Sequence, residues 1–120
     1  MSIAKEFQRL AGLLRKEESA YVLAELNDLL TNAPGAQIEI LSAPSIADPY
    51  LANYVAAMVE QAAHLKGGVR PPPWTAGVAP LAQPVFAVPW MALRAHLLLE
   101  SPVPFRRRNI FVDSTIGDRV

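Results

Sequence analysis

Two histidines and a run of three arginines are the side chains through which this 120-residue chain could do chemistry. His64 follows Glu60 by four positions, and His96 precedes Glu100 by four. On a helix that spacing puts each pair on one face, where imidazole and carboxylate could share a metal or pass a proton. Neither pair lies in a recognised ligand pattern, and Glu/His pairs at this spacing arise often by chance. Both therefore read as surface or satisfied-core histidines, with no metal site. Ser101, His96 and Asp113 supply the residue types of a hydrolytic triad. Ser101 lacks a G-x-S-x-G context, however, and reads as a helix-terminal serine before Pro102. Gly67-Gly68 is not followed by the Lys and Ser/Thr of a phosphate loop. No catalytic residue and no cofactor are expected, and the chain reads as a binding protein rather than an enzyme.

The arginine run is the strongest binding feature. Guanidinium forks suit carboxylate and phosphate, and the flanking Phe105 and Phe111 are of a type that can stack on bases. Three consecutive residues fan over about 200° of a helix, so Arg106, Arg107 and Arg108 cannot all face one way. At least one is expected to make an internal salt bridge, and an exposed cluster with a structural ion pair is the plain alternative to a binding site. Net charge is zero, which argues against a dedicated nucleic-acid binder.

The elements that position these residues follow from apolar spacing and breakers. Ile3, Phe7, Leu10 and Leu14 predict a helix over 2–16, and Val22, Leu23, Leu26, Leu29 and Leu30 a second over 19–32 with Ser19 as a cap. The two could form a hairpin or one bent helix. AQIEIL at 36–41 alternates weakly and reads as a short strand. A third helix begins at Ser45 or Asp48; Asp48 with Pro49 is preferred, because it joins a capping acceptor to a pre-set φ. Leu51, Tyr54, Val55, Met58, Val59, Ala62 and Leu65 carry it to Gly67-Gly68, over 48–66. VRPPPWT predicts a polyproline II strap anchored by Trp74. Pro89 opens a nearly all-round apolar helix over 89–100 that must be buried, in this chain or against another. SPVPFRRRN then reads as an extended or turn segment that swings Phe105 inward, ahead of a β-like IFV. A last turn capped by Asp113 or Ser114 follows.

Composition sets the outer limits. A 52% hydrophobic content fits a globular chain, and no apolar run approaches the 18 or so residues of a membrane span. The charged start MSIAKEFQRL has no apolar signal region, and cysteine is absent, which fits a cytoplasmic bacterial protein. Residues 1–65 carry four basic and eight acidic side chains, net −4; residues 66–120 carry seven and three, net +4. The halves could satisfy each other by packing, which is slightly preferred, or leave a basic face for an acidic partner.

The order PPPWT, L-A-x-P-V-F and L-R-A-x-L-L-L-E-S-P-V-P-F-R-R-R-N-I-F-V resembles a group of small bacterial proteins ending in W…P-x-F…S-P-x-x-F-R-R-R-x-I-x-V. The resemblance spans roughly 49–112. Members of that group often accompany nucleotidyltransferase-like proteins in arrangements like toxin–antitoxin pairs, which implies an antitoxin-like partner and carries over no catalytic residue. The expectation is a single, mainly α domain over 1–120: about four helices, a proline-rich strap at 69–88 and an irregular or short-strand C-terminal segment. Arg106, Arg107, Arg108, Phe105, Trp74 and Trp90 are the expected partner-binding residues. A protein partner is expected, with a homo-oligomer also open. The alternative is a nucleic-acid-binding regulator using Arg106 to Arg108.

Overall fold

The computed structural model describes residues 2–15, 19–82, 85–86 and 103–111, and within them the chain is mainly α-helical. Helix α1 spans Ile3–Gly12, α2 Ala20–Asn32, α3 Gly35–Glu39 and α4 Pro49–Lys66. A 3₁₀ turn, Pro73–Gly77, and a one-turn helix α5, Val103–Arg106, follow, and β1 (Val85–Phe86) pairs with β2 (Ile110–Phe111) in parallel. The expected helix over 89–100 and the last turn after Asp113 lie outside the described residues.

Local chemistry explains most boundaries. Ser2 caps α1 by accepting the Lys5 N–H at 3.1 Å, and α1 stops at Gly12, short of residue 16. Ser19 occupies the cap position of α2, but its side chain makes no capping bond. The two helices are separate and pack on each other as a hairpin. At α4, Asp48 Oδ1 accepts the Leu51 N–H at 3.0 Å with Pro49 in the first turn, and Gly67 and Gly68 close the helix at φ of 70° and 69°. Left-handed backbone of that kind favours glycine, so the helix ends where the side-chain cost disappears.

Two expectations are corrected, and a third that left two conformations open is decided. Residues 36–41 are not a strand: α3 begins after Pro34, whose carbonyl accepts the Gln37 and Ile38 N–H groups. Ile38 and Leu41 are buried while Ile40 is 64% exposed, a three-residue period that a strand would not produce. The strap is only partly extended. Pro72 sits at φ −57°, ψ 142°, yet Trp74 and Thr75 belong to the 3₁₀ turn. Finally, of the extended and turn readings of SPVPFRRRN, the described residues take the turn: Val103–Arg106 is one helical turn, turns continue to Asn109, and Phe105 faces inward as expected.

The core is built around α4, which packs against α2, α3, the 3₁₀ turn and α5. From Leu51 to Ala63 it buries residues on nearly every face. Alanines at 56, 57, 62 and 63 let neighbouring elements approach closely. Phe7, Leu26, Leu30, Ile38, Val55, Val59, Phe105 and Ile110 fill the interior to 1% exposure or less. Among the described residues no helix is long and apolar enough to cross a membrane.

Candidate functional site: the arginine turn on α4

The turn after α5 decides the fate of each arginine. Arg107 N–H donates to Val103 O at 2.9 Å, Arg108 N–H to Phe105 O at 3.0 Å and Asn109 N–H to Arg106 O at 3.1 Å. This winding puts Phe105 and Arg108, three residues apart, toward α4, and leaves Arg106 and Arg107 exposed. Asn109 completes the reversal at φ 64°, a left-handed conformation that Asn tolerates better than most residues. Its side-chain amide donates to Leu81 O at 2.6 Å, and Leu81 N–H donates to Arg108 O at 3.3 Å.

Arg108 lies almost wholly inside, and each guanidinium nitrogen has a partner. Nε donates to Glu60 Oε1 at 3.2 Å; Nη1 to Asn53 Oδ1 at 3.0 Å and Val78 O at 3.2 Å; Nη2 to Thr75 O at 2.6 Å, with Glu60 Oε2 at 3.1 Å. Four hydrogen bonds and one ion contact thus use all three guanidinium nitrogens. Asn53 is also saturated: its amide nitrogen donates to Pro49 O and Ala79 O, each at 2.9 Å. A buried ion pair is tolerable only when both partners are hydrogen-bonded this completely. The cluster therefore fastens the C-terminal turn and the 3₁₀ segment to α4.

Beside Arg108, the Phe105 ring meets Tyr54 edge-on, with centroids 5.1 Å apart. Burial, and then the neighbouring Tyr50, push the Tyr54 hydroxyl well above the ordinary tyrosine range. Burial, and then Asp48, raise Tyr50 as well. Both rings stay neutral across physiological pH.

The expected binding residues therefore separate. Arg106 and Arg107 are at the surface, and Arg107 approaches Glu60 Oε1 at 3.5 Å with its side chain 64% exposed. Arg108 and Phe105 are interior and cannot touch a partner directly, which corrects their assignment; Phe105 also has no open face on which a base could stack. Trp74 is half-buried. Its Nε1–H donates to Leu41 O at 2.9 Å, and its ring lies 6.3 Å from that of Phe7, so it anchors the strap. Trp90 lies outside the described residues, as do His96, Glu100, Ser101 and Asp113. Glu60 turns away from the role its spacing to His64 suggested, because both of its oxygens face guanidinium groups. No group of three His, Asp or Glu side chains among the described residues is placed to hold a metal ion.

Sequence reasoning missed Asn53 and Thr75. The signal was present in α4: Asn53 and Glu60, seven residues apart, share the face of an otherwise apolar stripe, and two inward polar groups require an internal partner.

Next to this cluster runs a groove of about 500 Å³ between α4, the start of the strap and the C-terminal turn. Gln61 and His64 from α4, Val69 and Pro71, and Val103, Pro104 and Arg107 line it, with Glu60 at its edge. No protein-family model, curated protein or solved structure matches the chain.

Proposed function

We propose that the chain is a non-enzymatic protein-interaction module whose docking face is the turn Val103–Arg107 and the adjoining part of α4. One observation carries this reading: Arg108 is committed to the interior, fixing a turn that holds Arg107 and the half-exposed Val103 at the rim of an open groove, with Arg106 exposed on the same turn. A rigid, mixed apolar and cationic rim suits a protein surface, where arginine is enriched and preorganisation lowers the ordering cost of association. A non-catalytic role fits the state of Glu60. It is the buried carboxylate among the described residues, and its oxygens are engaged by two guanidinium groups. On the resemblance of residues 49–112 to proteins with the W…SPxxFRRRxIxV ending, the partner we propose is nucleotidyltransferase-like, with this chain as the antitoxin-like member of the pair.

The test is capture of the partner from native lysate by the tagged chain, with and without nuclease, beside an Arg106→Ala/Arg107→Ala variant shown to be folded by circular dichroism. Arg108 is left intact because its loss would disturb the fold. Recovery of one protein at fixed stoichiometry, insensitive to nuclease and lost in the variant, supports the reading. Nuclease-sensitive recovery of nucleic acid, weakening with salt by about 0.9 log unit per neutralised phosphate, would replace it with a nucleic-acid-binding role.

A further inference from the structure

We infer that the groove between α4 and the C-terminal turn takes an extended, acidic segment of a protein partner, with a carboxylate on Arg107, a peptide group on Gln61 and an apolar side chain against Val103. The inference deepens the docking role proposed above and rests on it. Its starting observation is Gln61. This residue is 7% exposed overall and lines the groove, and its side-chain amide makes no hydrogen bond to a described residue. An amide that opens on the groove without a protein partner is hydrogen-bonded to water there, and a peptide group of a ligand can take the place of that water. Its one carbonyl and its NH₂ match the N–H and C=O of a single peptide unit.

The charge of the occupant follows from a count. Glu60 contributes −1 and Arg108 +1, and their buried ion pair, with one hydrogen bond and a second N···O contact at 3.1 Å, cancels both inside the protein. Arg107 is left as the surplus cation at the rim, 3.5 Å from Glu60 and open to solvent, with Arg106 exposed beside it. A guanidinium fork facing solvent is complementary to a carboxylate. The walls settle the remainder. Pro71 and Pro104 offer no backbone N–H, and Val69 and Val103 add aliphatic surface, so the groove cannot pair with a peptide as a sheet edge does. It instead accommodates an apolar side chain near the carboxylate. A volume of about 500 Å³ lies within the range that holds a small ligand or a short peptide stretch.

The experiment is panning of a random dodecapeptide phage library against the full chain, followed by a synthetic peptide of the enriched sequence. Enriched peptides are expected to carry Asp or Glu next to an apolar residue. Binding of the synthetic peptide should shift the Gln61 side-chain NH₂ resonances and weaken several-fold in Gln61→Leu. Changing the peptide's carboxylate to its amide should weaken binding about tenfold to the native chain and leave it unchanged against Arg107→Gln, a coupling that mere loss of folding would not produce. No enrichment, enriched peptides without a carboxylate, or equal losses against both chains would overturn the inference. If a partner is nevertheless captured through Arg106 and Arg107, the docking role stands and only the acidic-peptide assignment falls.

Discussion

From the C-terminal turn, Arg108 reaches five oxygen atoms in two other parts of the chain: Asn53 and Glu60 on α4, and the Thr75 and Val78 carbonyls at the 3₁₀ segment. Removing it leaves the buried Glu60 with only the exposed Arg107 and takes the donor from Asn53 Oδ1 and Val78 O, and breaking such a buried pair costs about 3–5 kcal/mol. Arg108→Ala should therefore lose stability of that order in urea denaturation. Arg108→Lys should recover little, since an ammonium has three donors and no planar fork. Arg107→Ala, at an exposed pair, should cost under about 1 kcal/mol. Equal losses at 107 and 108 would contradict the division between an interior and a surface arginine. That at least one of the three would turn inward was legible from the run itself, because consecutive residues cannot share a direction. Which one was not, since it depends on α5 being helical and placing Arg108 three residues after Phe105.

At the scale of elements, α1, α2 and α4 were legible because each carries a long apolar period, and α4 also has Asp48-Pro49 and Gly67-Gly68 at its ends. The short pieces were not. Five residues of α3 and four of α5 hold too few periods to separate helix from strand, and tertiary packing decides them. Gly35 shows that packing directly. A Cβ there would come 2.5 Å from Val69 Cγ2, so the first turn of α3 passes against the strap with no room for a side chain. Val69 is β-branched and stiff at χ1, and cannot simply rotate away. Gly35→Ala should destabilise by about 1–3 kcal/mol despite adding a better helix former. In a Val69→Ala background most of that loss should vanish in the thermal midpoint. A loss that persists there would place its cause in α3 itself rather than in the contact.

For the whole molecule, the two halves of opposite charge meet at few ion pairs among the described residues. The Glu60 contacts with Arg107 and Arg108 link them, while Glu39 is used differently, accepting the Arg70 backbone N–H at 2.9 Å. What joins the halves is chiefly burial around α4. Phe7 from α1 packs toward Trp74 of the strap, Trp74 binds Leu41 O, and Phe105 from the C-terminal turn closes on Tyr54. Both phenylalanines are fully buried although 98 positions apart (105 − 7), so neither end of the described chain forms a core without the middle. The expected consequence is one cooperative unfolding transition. In a Trp90→Phe background, where fluorescence reports Trp74 alone, Phe7→Ala and Phe105→Ala should each lower stability by about 3–5 kcal/mol. Each should also move the fluorescence and far-ultraviolet dichroism curves together, because coincident probes are the signature of two-state behaviour. If Phe105→Ala melted one signal early and left the other in place, the C-terminal turn would be an appendage on a separately stable helical core. The groove it forms with α4 would then open without unfolding the rest.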